Sequence, residues 1–261
     1  MRVLTGAWVY VDALAASFTV ATVASPAGVS GAVLLLPFQV GVLGTPSPSV
    51  TPTNLLYNVV ATPGALYRYW RQGQTGGRLT RLLVLGTLPG VIIGSIIRVE
   101  LLPGAVAFDV VIAAVLVPLG GWLILDRRVL RRTVRLSAAV IGIAAAIVGV
   151  VGGIYGIGGG SILAPLLIGS GRSPSEVAPA TLASTFVTSV AGVATFLLLS
   201  VYHHGSVAPD WGVGIALGVG GLVGGYTGAR LQPRLPESLI RRLLGLLVLA
   251  IGIRYAWLAA T

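Results

Sequence analysis

Residues 156–165 read Gly156-Ile157-Gly158-Gly159-Gly160-Ser161-Ile162-Leu163-Ala164-Pro165. So much glycine inside an otherwise apolar stretch stops one helix and frees backbone N–H groups where a short second helix begins. An echo stands 128 residues earlier, as Gly28-Val29-Ser30-Gly31-Ala32-Val33-Leu34-Leu35-Leu36-Pro37. A helix restarting at either point aims its N-terminal N–H groups, with their partial positive charge, into the protein interior, which makes an anion site without a formal charge. Tight helix packing through small residues is the competing reading. A dinucleotide fingerprint is a poor fit, because no acidic residue follows at the required distance and the context is not a βαβ unit.

The echo extends well beyond the glycines. At the same ungapped offset Pro37, Gly41, Pro46, Ser47, Thr53, Val59, Gly64, Gly86 and Gly90 recur as Pro165, Gly169, Pro174, Ser175, Thr181, Val187, Gly192, Gly214 and Gly218. Glycine and proline control backbone shape, so the two halves are expected to share a fold.

Around this repeat the composition is that of a membrane protein. Of 261 residues 55% are hydrophobic and only 9% charged, with a mean hydropathy of +0.94; a soluble domain carries about 25% charge. Ten apolar segments follow one another, roughly 4–27, 31–44, 52–70, 79–98, 104–125, 136–155, 159–170, 177–201, 210–229 and 238–259. The second and seventh are shorter than the roughly 20 residues a crossing needs, and both begin at a glycine cluster, as half-helices of broken crossings. The absence of cysteine excludes disulfides and thiolate chemistry. No metal or cofactor is expected.

All 17 basic residues are Arg, against 7 acidic ones, a net charge of +10. In a membrane protein this excess reports topology rather than nucleic-acid binding. One cluster, Arg68, Arg71, Arg78 and Arg81, flanks the loop after segment three; a second, Arg127, Arg128, Arg131, Arg132 and Arg135, fills the linker; a third, Arg230, Arg234, Arg241 and Arg242, flanks the loop after segment nine. All three lie on the cytoplasmic side only if the short segment seven also crosses. Five crossings per half is an odd number, so the expectation is an all-α integral membrane protein of two halves in inverted orientation, 1–125 and 136–261, joined by a basic cytoplasmic linker, 126–135. Re-entrant short segments, with four crossings per half, put one Arg cluster on the wrong side. Inverted repeats with a broken helix at matching places are a recurring design of secondary transporters.

The glycine run ending at Pro165, its echo ending at Pro37, the chain length and the two homologous halves together resemble the TauE/SafE family of sulfite and organosulfonate exporters. The resemblance covers essentially the whole chain and is most specific at Gly158-Gly159-Gly160 and the following Pro165-Leu166; the first half has Ser30 and Ala32 in place of two of those glycines. It implies transport of sulfite, a sulfonate or a related sulfur oxyanion across the cytoplasmic membrane of a prokaryote.

The residues expected to form the anion site are the backbone of Gly28, Ser30 and Gly31 and of Gly156, Gly158, Gly159 and Gly160, with Ser161. Segments three and eight add neutral donors: Asn54, Tyr57 and Asn58 from one, Thr181, Ser184 and Thr185 from the other. Neutral groups suit an anion that must be released again. Hydrogen bonding between helices is the competing role for any one of them. Asp12 is the candidate for a coupling proton, since a carboxylate at membrane depth is by default a functional hypothesis; Asp109 is the other intramembrane carboxylate. Two further readings stand beside the transporter: an anion channel of the same architecture, and an intramembrane enzyme using Asp12 or the His203, His204 and Asp210 group. The partners expected are a small anion and the bilayer, with no nucleic acid; oligomeric state is not legible.

Overall fold

The computed structural model describes residues 8–46, 49–74, 76–101, 117, 121, 136–203 and 207–260. Asp109, His204, the basic linker and nearly all of segment five lie outside them. The described chain forms helices α1 (Trp8–Ala24), α2 (Ala32–Gly41), α3 (Val50–Arg71), α4 (Arg78–Glu100), α5 (Ala138–Tyr155), α6 (Gly160–Gly169), α7 (Pro174–Tyr202), α8 (Trp211–Leu231) and α9 (Glu237–Ala260), with 3-10 turns at Ser25–Ala27 and Gln232–Arg234.

Local chemistry sets the helix boundaries. Ser137, Ser173 and Asp210 cap α5, α7 and α8, each accepting a backbone N–H three residues on, at 3.3, 3.3 and 3.0 Å. The first two glycines of the repeat do the opposite and end a helix. Gly28 and Gly156 adopt φ of +80° and +70°, and the following residue donates back across the turn, Val29 to Ala24 and Ile157 to Gly152, both at 3.2 Å. The short helices that follow, α2 and α6, start and end at positions related by the offset of 128. Each has ten residues, about 15 Å, half of a roughly 30 Å hydrocarbon core.

Five helices among the described residues are long and apolar enough to cross a bilayer: Trp8–Ala27, Arg78–Glu100, Ala138–Tyr155, Pro174–Tyr202 and Trp211–Arg234. Their outward faces are hydrocarbon-like, with Leu85, Ile143, Ile147, Leu198 and Val201 all more than 60% exposed. A continuous apolar surface of this kind is stable only against lipid or another apolar partner.

Glycine-lined contacts fix the helix directions. Along α8, Gly212, Gly220, Gly224 and Gly228 abut Tyr10, Leu14, Phe18 and Thr22 of α1 in order, while Gly214 and Gly218 abut Leu56 and Val60 of α3. Thus α1, α3 and α8 run the same way. Gly86, Gly90 and Gly94 of α4 meet Ala145, Ala146 and Val150 of α5 in order, and Thr87 and Glu100 of α4 bond Ser184 and His203 of α7, so α4, α5 and α7 also run together. The two triplets meet through α3 and α7, which are antiparallel: Leu55 lies by Gly192 and Phe196, Ala65 and Tyr69 by Ala178 and Leu182.

Two consequences position the site. Each half contributes helices to both triplets, because α1 packs on α8 and α5 on α4. In addition, the C-terminal ends of α3 and α8 and the start of α4, with Arg68, Arg71, Arg78, Arg230 and Arg234, gather at one end of the bundle. Glu100, His203 and the start of α8 occupy the other end.

Candidate functional site

The two breaks enter the bundle from opposite ends. Gly28 lies against Ala178 and Thr181, near the start of α7 at the basic end, whereas Gly156 lies against Thr51, near the start of α3 at the other. The chain then runs inward from each, and the breaks meet: Ser30 Oγ and Ser161 Oγ are 2.9 Å apart, and the Ser30 N–H also points at Ser161 Oγ at 3.5 Å. The N-termini of α2 and α6 therefore face each other in the interior, with all surrounding side chains buried. The aligned peptide dipoles of the two short helices give this point a positive potential from both sides.

Helices α3 and α7 wall the junction with polar side chains at helical spacing. From α3, Asn54 Nδ2 donates to Ala32 O at 3.1 Å and its Oδ1 accepts from Gln39 Nε2 at 2.8 Å. The Tyr57 hydroxyl donates to Ser30 O, and Asn58 Nδ2 reaches Gly156 O at 3.5 Å. From α7, Thr181 Oγ1 donates to Gly28 O at 2.9 Å, Ser184 pairs with Thr87 of α4 at 2.8 Å, and Thr185 stands over Gly158 and Gly160. Fourteen residues singled out in the sequence, Gly28, Ser30, Gly31, Asn54, Tyr57, Asn58, Gly156, Gly158, Gly159, Gly160, Ser161, Thr181, Ser184 and Thr185, thus form one buried cluster.

The glycines are required there by space. A β-carbon on Gly160 would stand 1.9 Å from Thr181 O, one on Gly156 2.3 Å from Thr51 O, and one on Gly159 2.7 Å from Thr87 Cγ2. Gly158 needs its freedom for a second reason, since its φ of +64° disfavours any side chain.

Other candidates sit apart. Asp12 lies sixteen residues before Gly28 in α1, about 24 Å away along the helix, and is half-buried. His203 pairs with Glu100 at 2.8 Å, whereas Asp210 caps α8 and its N–H donates to Thr53 Oγ1 at 2.8 Å. His203 and Asp210 thus have separate partners. Among the described residues no three His, Cys, Asp or Glu side chains come close enough to hold a metal ion.

The cluster also contains residues that the sequence reading passed over. Gln39 and Thr87 bond members of the site directly. Ser189 lies against Gly158. Arg98 is only 2% exposed, and its Nε donates to Thr51 Oγ1 at 3.2 Å, while Thr51 donates on to Ile154 O at 3.3 Å beside the second break. A formal positive charge therefore backs the break at Gly156. At the basic end a cavity of about 670 Å³ lies between the starts of α4, α5 and α7, with Arg78, the Arg172–Glu176 ion pair and Ala180, the neighbour of Thr181, in its wall.

A family model described as Sulfite exporter TauE/SafE matches residues 13–255, nearly the whole chain. No curated protein and no solved structure matches the chain.

Proposed function

The chain belongs to the sulfite exporter TauE/SafE family of membrane transporters, and on that premise we propose that it carries sulfite, a sulfonate or a related sulfur oxyanion by alternating access around the junction of the two broken crossings. The observation that carries this reading is the contact of Ser30 and Ser161 at 2.9 Å, which brings two helix N-termini from opposite ends to one buried point. Such an arrangement attracts an anion through oriented N–H groups and lets it go again, because the groups that line the junction are neutral and the Arg98 charge stands behind Thr51. The flanking hydroxyls and amides of Asn54, Tyr57, Asn58, Ser161, Thr181, Ser184 and Thr185 complete the cradle, and Pro37 and Pro165 shape the short helices.

In this reading the two halves are inverted across the cytoplasmic membrane of a prokaryote, with the Arg-rich end inside. The cavity beside Arg78 and Arg172 is then the cytoplasmic vestibule, and its wall includes Ala180, one residue from Thr181. The moving bodies are the two helix triplets rather than the two sequence halves, since α1 is packed on α8 and α5 on α4. An inside-negative potential drives an anion outward by about 2.3 kcal/mol per charge per 100 mV, which suits export. Asp12, far from the junction along α1, remains the candidate for a coupling proton.

The test is uptake of labelled sulfite, thiosulfate and a small sulfonate into proteoliposomes under an imposed potential of each sign, with wild type beside Gly159→Val. Saturable flux in the wild type, lost in a variant that still folds, is the expected result. Non-saturating passive flux would make the protein a channel, and folded wild type without flux of any anion would end the anion reading.

A further inference from the structure

Three buried polar atoms around the second break have no hydrogen-bond partner among the described residues: Thr185 Oγ1, Ser189 Oγ and Asn58 Oδ1. Thr185 and Asn58 are wholly buried, as is Ser189. Thr185 and Ser189 are four apart and share one face of α7, and that face meets the glycine run. A β-carbon on Gly158 would lie 2.7 Å from Thr185 Cγ2 and 3.2 Å from Ser189 Oγ, and one on Gly160 would lie 2.5 Å from Thr185 Oγ1. Other hydroxyls of the same helix behave differently: Thr181 and Thr188 donate to carbonyls one turn back, at 2.9 and 2.7 Å.

Asn58 reaches the same loop from α3. Its Nδ2 donates to Gly156 O at 3.5 Å, and that donation orients the amide, leaving Oδ1 as a buried acceptor without a donor. The first break is different, because the groups at its glycine loop are already engaged and the orphan on α2, Gln39 Oε1, lies about two turns along that helix from its N-terminus. Ser30 Oγ pairs with Ser161, Ser30 O accepts from Tyr57, Ala32 O from Asn54, and Gly28 O from Thr181. Buried polar atoms are nearly always satisfied in folded proteins, so a group of orphans around one glycine loop at a helix N-terminus calls for a ligand.

Resting on the anion-transport reading, we propose that the substrate sits asymmetrically, at the second break and the N-terminus of α6. There the Thr185 and Ser189 hydroxyls donate to its oxygens, and Asn58 Oδ1 accepts a hydrogen bond from the ligand's own O–H. A carbonyl oxygen can only accept. The ligand that satisfies the set is therefore a singly charged oxyanion that still bears one proton: hydrogen sulfite rather than its dianion, and rather than a sulfonate, which has no such proton. Ser189 and Thr185 become binding residues for either anion, and Asn58 the residue that determines specificity.

The test compares sulfite with methanesulfonate in proteoliposomes, at fixed membrane potential, from mildly acidic to mildly alkaline pH. The titratable side chains beside this break are Tyr57 on α3, Arg98 on α4 and Tyr155 on α5, with the Glu100–His203 pair at the same end of the bundle and Glu176 at the start of α7. A titration of any of these, or of Asp12, would move the KM for methanesulfonate as well, so a change confined to sulfite belongs to the ligand. In wild type the KM for total sulfite should rise about tenfold as the hydrogen-bearing form disappears, while that for methanesulfonate stays flat and higher. Asn58→Leu should raise the KM for sulfite about tenfold and that for methanesulfonate less than twofold; Ser189→Ala and Thr185→Val should raise both several-fold at unchanged maximal rate. Sulfite transport that improves with pH, or methanesulfonate handled as well as sulfite, overturns the proposal. The wild-type profile decides this even if a variant fails to fold. Methanesulfonate flux without sulfite flux overturns the proposal and leaves the anion reading standing, whereas no flux of either overturns both.

Discussion

Gly160→Ala is the smallest substitution that tests the junction. The added β-carbon would stand 1.9 Å from Thr181 O and 2.5 Å from Thr185 Oγ1, and contacts under 3.0 Å are essentially never seen for a real β-carbon. Thr181 O is backbone of a packed helix and cannot swing aside, so α6 must move from α7 by about 1 Å. The Ser30–Ser161 pair, at 2.9 Å, then stretches past the range of a hydrogen bond. Overpacking costs about 1–3 kcal/mol and the lost buried bond about 1 kcal/mol more, a total below the 5–15 kcal/mol that typically holds a domain together. The variant should fold with a lower thermal midpoint in detergent and show sulfite flux reduced at least tenfold. Gly142→Ala is the control, since its β-carbon would meet only Leu82 Cδ1, at an ordinary 3.8 Å; it should match wild type in both assays. If Gly160→Ala transports like wild type with an unchanged midpoint, the close approach of α6 to α7 and the role of the junction are both wrong.

Arg98→Leu removes the buried donor to Thr51 that backs the second break; we expect lower sulfite flux and a loss of about 1–3 kcal/mol, and Arg98→Lys should not restore either, because a lysine has no Nε donor at that place on a rigid fork. Asp210→Ala should cost about 1 kcal/mol through the lost α8 cap and leave the flux per folded molecule within about twofold; a complete loss of function in folded Asp210→Asn, which preserves capping, would bring the intramembrane-enzyme reading back.

What could be read from the sequence was backbone punctuation. Glycine and proline act locally, so the offset of 128 located both breaks, and the short segments 31–44 and 159–170 enclose α2 and α6, whose limits match more closely than those segments do. Polar residues in α3 and α7 were also legible, because a threonine or asparagine in an apolar run has few places to go. Burial was harder. In a membrane protein lipid and interior are equally apolar, so hydropathy does not say which face of a helix points inward, and Thr87 and Gln39 looked no different from residues facing lipid. Arg98 stayed hidden for a related reason: it lies two residues before Glu100 at the end of α4, where an arginine usually reaches out to the interface, and only its bond to Thr51 shows that it turns in. The spacing of Thr185 and Ser189 was available as an i, i+4 signal, but only the position of Gly158 shows what that face meets.

The cross-packing of the halves also bears on how the chain is made. Helix α1 ends at Ala24, and the helix it packs against begins at Trp211, so nearly 190 residues must be synthesised before the first helix meets its partner. At about 5–20 residues per second that is a wait of roughly 10–40 s, during which Ser17 and the small-residue face of α1 stand open to lipid or to whatever the insertion machinery offers. Such distant pairing is intrinsically slow to close. A truncated product ending at the linker would leave α1 without α8 and α4 without α5, and quality control would meet it as two unmatched surfaces rather than as half a transporter.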